Sequence, residues 1–194
     1  VIAYVQGNIA YKCPTYVIID CGGLGYQINI SLYTYNKIEK AKHCKLFTYF
    51  HVKEDSHTLF GFADELEREL FQKLISVKGV GPSTGRMVLS TLSPQELQSA
   101  LVNEDVATIK RVKGVGQKSA QLIILELKDK VSKIGDISTV NLGSGNNTVR
   151  IEALSALTTL GYSRGDAEKA ITKAIATGGA SNAADVIKLA LKNI

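Results

Sequence analysis

Val77-Lys78-Gly79-Val80-Gly81 recurs as Val112-Lys113-Gly114-Val115-Gly116, at an offset of 35 residues. The likeness extends outward on both sides. Leu74 stands against Ile109, Gly85 against Ala120, and Met87-Val88-Leu89 against Leu122-Ile123-Ile124. A helical solenoid with this period needs at least about three copies to bury its core. Two copies therefore read as a paired motif.

Each Gly-Val-Gly joins two short helical patterns. The first glycine can take the left-handed conformation that ends a helix. The second leaves no side chain over the backbone, so the next helix begins with unpaired N–H groups pointing outward. A phosphate diester fits such a start, and the valine between the glycines anchors the turn. This is the logic of a helix-hairpin-helix motif that holds a DNA backbone without reading bases. One Gly-x-Gly alone is more often a plain helix–helix turn; two near-identical copies favour the functional reading. The candidate backbone-binding residues are Gly79, Val80, Gly81, Ser83, Thr84, Gly114, Val115, Gly116 and Lys118.

The charge pattern agrees. The net charge of +5 is mild, but residues 70–95 hold Lys73, Lys78 and Arg86 and no acid. Residues 106–125 hold Lys110, Arg111, Lys113 and Lys118 and no acid. Two positive windows between acidic ones point to two local anion sites.

Upstream of the first copy, Asp64 is set to cap a helix with apolar residues at 66, 70, 71, 74 and 75, a 3.6-residue period. Ser93-Pro94-Gln95-Glu96 is a second clear helix start. Helices are expected over 63–130. The first 62 residues read as strands instead: Thr15–Ile19, Tyr26–Ile30, Leu46–Val52 and His57–Phe62, with a fifth in the opening residues. Gly22-Gly23-Leu24-Gly25 punctuates a hairpin. Five short strands can bury a core by curling into a small barrel. The pattern alone leaves OB-like and SH3-like barrels open.

Downstream, residues 131–148 are rich in Gly, Ser and Asn and read as a flexible linker. Helical periodicity resumes at Val149, stops at Gly161, restarts near Ser163, and restarts again at Ser181 or Asn182. Residues 149–194 are thus expected as a small three-helix bundle.

Composition narrows the function classes. The chain has 194 residues, 45% of them apolar and 21% charged, ordinary for a globular protein and unlike a disordered or collagenous one. Cys13, Cys21 and Cys44 are too few for a disulfide scaffold, and with His43, His51 and His57 they match no zinc spacing. No metal is expected. No apolar stretch reaches the ~20 residues of a bilayer span, and the opening residues lack the charge and apolar run of a signal peptide. A cytoplasmic location is expected. No phosphate-loop motif is present, so ATP hydrolysis by this chain is not expected.

The ordered set resembles the RuvA family, the Holliday-junction-binding subunits of the bacterial branch-migration complex. The resemblance covers the whole chain. It rests on Gly22-Gly23-Leu24-Gly25-Tyr26, Lys53-Glu54-Asp55, Leu59-Phe60-Gly61-Phe62, the paired Gly-Val-Gly hairpins, the linker, and Ala156-Leu157-Thr158-Thr159-Leu160-Gly161-Tyr162. It implies a multi-domain α+β chain: an OB-type barrel over 1–62, an all-α domain with two helix-hairpin-helix motifs over 63–130, and a mobile three-helix, UBA-like domain over 149–194. It also implies a homotetramer, sometimes an octamer, holding a four-way junction open for recombination and repair. Its partners would be the hexameric ATPase RuvB and the resolvase RuvC, with ATP and Mg used by the motor and no cofactor on this chain.

The resemblance further assigns roles. Glu54 and Asp55, which alone read as a polar turn, become an acidic pin that repels phosphates at the junction centre, with Lys53 as a flanking DNA contact. Leu157, Leu160, Tyr162 and Leu191 match a patch that docks on the motor; read alone, some of them are ordinary core residues, although so small a bundle cannot bury every leucine. Two departures stand out. Ser83 and Gln117 occupy places where the family often has basic residues, so phosphate binding here leans on backbone N–H groups and the Ser83 and Thr84 hydroxyls.

Two rival functions share some of these residues. A helix-hairpin-helix glycosylase/lyase would use Lys118 as a Schiff-base nucleophile and Asp136 as its partner. A general single-strand-binding OB protein would use Tyr33, Tyr35, Phe47 and Tyr49 as stacking platforms.

Overall fold

Alternating apolar residues put Val17, Ile19, Ile28 and Ile30 on one face of two neighbouring strands, where all four are buried. The computed structural model describes residues 1–138, 145–176 and 182–192. Its first 62 residues hold β1 (Tyr4–Cys13), β2 (Tyr16–Asp20), β3 (Gly25–Ile30), α1 (Leu32–Ile38), β4 (His43–Val52) and β5 (His57–Phe62). The strands close in the order β1-β2-β3-β5-β4. β1 closes the barrel by pairing with two partners, β4 along Tyr4–Asn8 and β2 along Asn8–Cys13, with a register shift between Ile9 and Tyr11. β3 and β5 run parallel, through Ile28 opposite Leu59. A closed five-stranded barrel with one parallel pair is the OB arrangement, so topology decides what periodicity left open.

Helix α1 falls where the sequence showed no clear period. Its run Leu-Tyr-Thr-Tyr-Asn-Lys-Ile is short and rich in β-formers. Ser31 caps it by accepting from the Thr34 N–H, and the Lys12 ammonium donates to the carbonyls of Ile38, Glu39 and Ala41 at its C-terminal end. Those tertiary bonds, not propensity, hold the helix.

After the barrel come α2 (Glu65–Ser76), α3 (Pro82–Thr91), α4 (Pro94–Val102), α5 (Val106–Lys110) and α6 (Gln117–Ser138). Asp64 caps α2 through the Glu67 N–H, and Ser93 and Glu96 form a capping box on α4. Phe60 and Phe62 of β5 pack on Phe71 of α2, with ring centroids 5.2 and 4.9 Å apart. This aromatic cluster joins the barrel's end to a helical core that also holds Val77, Val80, Val112 and Val115.

Of the residues expected as a linker, 131–148, those at either end are helical. Helix α6 runs on to Ser138, and the next helix already begins at Gly145. Val131 is buried in the helical core, which gives the helix a reason to continue. Asp136 accordingly lies on α6. Residues 139–144 lie outside the described residues.

The chain divides into two compact units, Val1–Gly135 and Asp136–Ile194. The second contains α7 (Gly145–Thr159), α8 (Arg164–Ala176) and α9 (Ala183–Leu191). Small residues let these three helices approach: Ala153, Ala167, Ala170, Ala174 and Ala190 share its core with Leu157, Ile171 and Val186. Gly161 ends α7 with φ +98°, and Asn182 caps α9.

Candidate nucleic-acid interface

The sequence repeat is a structural repeat, bond for bond. In the first copy the Val77 N–H donates to Leu74 O at 3.1 Å, Val80 N–H to Val77 O at 3.0 Å, and Gly85 N–H to Gly81 O at 2.9 Å. In the second, Val112 N–H donates to Ile109 O at 3.2 Å, Val115 N–H to Val112 O at 3.0 Å, and Ala120 N–H to Gly116 O at 2.9 Å. Val80 and Val115 are each 5% exposed. Both turns are therefore pinned to one core by their valines.

The two glycines of each copy differ in what the fold asks of them. Gly79 and Gly114 have φ of +85° and +90°, where a side chain is strained. Gly81 has an extended backbone, φ −86° and ψ 170°. A Cβ on Gly81 or on Gly116 would meet no atom within 4 Å. Packing inside the chain does not require glycine at 81 or 116. What its absence of a side chain leaves open is the approach to the following helix.

Those helix starts are kept bare. Gly81 offers α3 no side-chain cap, Pro82 holds the first position, and no acid lies in the first turn. The N–H groups of Ser83 and Thr84 consequently lack helical partners. Gly116 likewise has no side chain with which to cap α6, whose first turn carries Lys118 and no acid. By contrast, α2, α4 and α9 each have a side-chain cap and an acid in the first turn, and Asp105 caps α5. Bare, positive helix starts of this kind are candidate anion sites. Ser83 and Lys118 are exposed and Thr84 is half-buried.

Between β4 and β5 the chain turns tightly, with the Lys53 N–H donating to Ser56 O at 2.8 Å. Lys53, Glu54 and Asp55 project at this tip and are exposed. Glu54 and Asp55 make no ion pair among the described residues. Their charge is thus free to act on whatever approaches the tip.

The base of this turn meets the first hairpin. A cleft of about 210 Å³ is lined by Asn29, His51, Lys53 and Thr58 from the barrel and by Ser83 and Arg86 from α3. Arg86 Nη1 holds the two parts together, donating to Thr15 O at 3.0 Å and Asn29 Oδ1 at 3.2 Å. Sequence reasoning assigned Lys53 and Ser83 but missed the other four. They lie far apart in the chain and belong to no motif, so only the fold brings them together.

The aromatic residues considered as stacking platforms are otherwise engaged. Tyr33 and Tyr35 sit on α1, not on strands. Tyr33 Oη donates to Asp64 Oδ2 at 3.2 Å, and its phenol is pushed up to about 12, first by burial and then by the Asp64 charge. Tyr35 packs on the barrel core. Phe47 lies under the Lys45 and Arg68 cations, and Tyr49 stacks edge-on against Phe71 at 5.5 Å.

In the second unit Leu160, Tyr162 and Leu191 are 62%, 37% and 41% exposed. Leu157 is fully buried against the α8 and α9 core residues. Its expected place in a docking patch is corrected: the side chain is structural, because it fills the centre of the three-helix core.

The sequence matches three family models in chain order. RuvA N terminal domain covers residues 2–61, SAM-like helix-hairpin-helix tandem covers 71–129, and RuvA, C-terminal domain covers 148–194. The chain belongs to the RuvA family. It is 50% identical over 193 residues to the Holliday junction branch migration complex subunit RuvA of Christiangramia forsetii, covering 100% of both chains. It is 46% identical to the protein of the same name from Cytophaga hutchinsonii, with 98% of each chain covered. The Bacteroides fragilis protein of that name is 43% identical, with 100% of both chains covered. The barrel, the tandem hairpins and the C-terminal helices thus carry the RuvA order of domains.

Proposed function

We propose that this chain binds four-way junction DNA by its shape and brings a RuvB-type ATPase to it for branch migration. The observation that carries the reading is the pair of equivalent bare helix starts after Gly81 and Gly116. Two such sites, pinned to one core by Val80 and Val115, hold one strand at two places along its backbone. Backbone N–H groups and Lys118 carry no base code, so recognition is of structure and not of sequence.

Glu54 and Asp55 act in the opposite sense. Carboxylates at a turn tip repel phosphates, so they keep strands apart at a junction centre and penalise a continuous duplex lying across them. Four such tips around one junction imply a homotetramer, with face-to-face pairing into an octamer as its extension. The exposed Leu160, Tyr162 and Leu191 serve the motor, and a RuvC-type resolvase takes the junction afterwards. In this reading the chain works in the cytoplasm as a non-catalytic subunit without a cofactor of its own; ATP and Mg belong to the motor.

The lyase reading is weaker on geometric grounds. Lys118 and Asp136 are 18 residues apart in α6, about five turns along one helix. The single-strand reading loses the platforms it named, since Tyr33, Tyr35, Phe47 and Tyr49 are all partly buried and engaged.

The test is a gel shift with a labelled four-way junction against a linear duplex of equal length, across a salt series. Junction preference is expected, with affinity falling by ~0.9 log unit per log unit of salt for each phosphate neutralised. Equal binding to both DNAs, or a flat salt response, overturns the reading. Borohydride trapping on an abasic duplex checks the lyase alternative, and no covalent adduct is expected.

A further inference from the structure

The cleft between the barrel and the first hairpin holds more chemistry than either motif accounts for. No carboxylate lines it. Arg86 engages Thr15 and Asn29 through Nη1 alone; Nε and Nη2 donate to nothing among the described residues. A guanidinium carries five N–H donors in a planar fork suited to phosphate oxygens. Arg86 also forms no ion pair among the described residues. Two bonds to uncharged oxygens fix its position and leave its charge unspent.

His51 adds a second, independent sign. Its Nε2 is shielded from water and has no hydrogen-bond partner among the described residues. Its ring is held beside Tyr49 and Phe60, with centroids 6.2 and 6.5 Å away. A buried polar nitrogen is normally satisfied, so an orphaned one beside a cationic cleft marks a place for an acceptor. Thr58, cross-strand from His51, and the bare start of α3 at Ser83 complete the walls.

We propose that this cleft is a composite phosphodiester site, gripped from the barrel by Lys53 and His51 and from α3 by Ser83 and Arg86. The inference rests on the DNA-binding reading above and extends it. Arg86 lies one turn beyond Ser83 and supplies the positive charge that Ser83 does not. Lys53 and Ser56 line the cleft and flank Glu54 and Asp55 in the chain. Attraction and repulsion are therefore one residue apart: a strand is caught at the base of the turn and turned away at its tip.

The experiment is fluorescence anisotropy with a labelled four-way junction over a salt series. Arg86→Met is expected to weaken binding about tenfold near 0.1 M salt and to reduce the salt slope by about one. Arg86→Lys, which keeps the charge, should recover most of that slope. Thr58→Asp places a carboxylate on the barrel wall of the cleft and should weaken binding at least as much. His51→Phe keeps the ring packing and removes the nitrogens; an affinity loss of about threefold is expected.

Unchanged affinity and slope in both Arg86→Met and Thr58→Asp overturn the composite site. Weaker binding by Arg86→Met with an unchanged slope overturns it too, since packing and not a phosphate contact was then lost. Gly116→Val, in the other hairpin, separates the two readings. If it still weakens junction binding while the cleft variants do not, the hairpin reading stands and only the cleft falls. If the parent chain shows no junction preference, the broader reading fails on its own.

Discussion

Thr34 Oγ1 on α1 donates to Glu67 Oε2 on α2 at 2.5 Å, tying the barrel's one helix to the first helix of the hairpin domain. Ser31 donates to the other carboxylate oxygen, and the Ala63 N–H donates to Oε2 at 3.1 Å. Glu67 is fully buried. Burial pushes its carboxyl up to about 7, against the pull of these hydrogen bonds, and the Asp64 charge adds to the rise.

A pH dependence of stability follows. Unfolded glutamate titrates near ~4.3, so between that pH and about 7 the folded chain holds a proton that the unfolded chain has lost. Stability must fall as pH rises through this window and level off above it. The change is at most about 4 kcal/mol. Glu96 and Asp105 are shifted the other way, by their own cap hydrogen bonds, so their effect lies at lower pH. Urea midpoints at pH 5 and pH 8 are expected to differ in the parent chain and to converge in Glu67→Gln. The same pH difference in both proteins would clear Glu67 of the effect.

The glycines of each hairpin should separate folding from binding. Gly79→Ala or Gly114→Ala forces a side chain into the left-handed region and should cost roughly 1–2 kcal/mol of stability. Gly81→Val and Gly116→Val meet no atom of the chain within 4 Å, and their cost should stay near the ~1 kcal/mol of a lost N-cap preference. Yet these two should weaken junction binding more than Lys118→Ala, because they block the helix start while Lys118 adds one screened charge. Thermal melts beside binding curves check this. Equal binding loss in all three variants would count against the hairpin mechanism.

Glu54→Gln with Asp55→Asn should leave junction affinity unchanged and raise affinity for linear duplex. Both acids are exposed and form no ion pair among the described residues, and the one side-chain bond at the tip, Ser56 Oγ to Asp55 Oδ1 at 3.4 Å, can be kept by the amide oxygen of asparagine. Competition between junction and duplex measures the ratio directly. Weaker binding of every DNA by the double variant would reduce the tip to an ordinary turn.

The C-terminal unit should be dispensable for junction binding and required for motor-driven branch migration. A truncation must spare Val131, which is 1% exposed in the core of the first unit, and therefore should end after Ser138. The expected result is retained junction affinity and lost migration in the presence of the ATPase and ATP. Within the full chain, Leu160→Ala and Leu191→Ala should impair migration without unfolding the unit, since both side chains are exposed. Leu157→Ala should instead destabilise the bundle by about 2–5 kcal/mol through the cavity it leaves. Intact migration after truncation would remove the assigned role.

Much of this protein is written in local pattern. The Gly-Val-Gly repeat predicts its two turns because a left-handed glycine and a buried valine are needed at fixed offsets, whatever surrounds them. Asp64, Ser93 and Asn182 mark helix starts for the same reason: a cap acts on N–H groups two or three residues away. Period-2 alternation in β2 and β3 shows which residues face the barrel interior. Other features depend on partners far along the chain. The closing of β1 onto β4, the parallel β3–β5 pair and hence the OB topology are set by pairing that no local period encodes. Helix α1 exists against the β-propensity of its own residues because Lys12 and Glu67 meet it from elsewhere. α6 outruns the apparent linker because Val131 finds a core. Leu157 and Leu160, three residues apart on one helix, part company for the same reason: burial is decided by what packs against a face. The cleft of Arg86 and His51 is the extreme case, assembled from four elements, so the sequence lists its residues and only tertiary contact makes them a site.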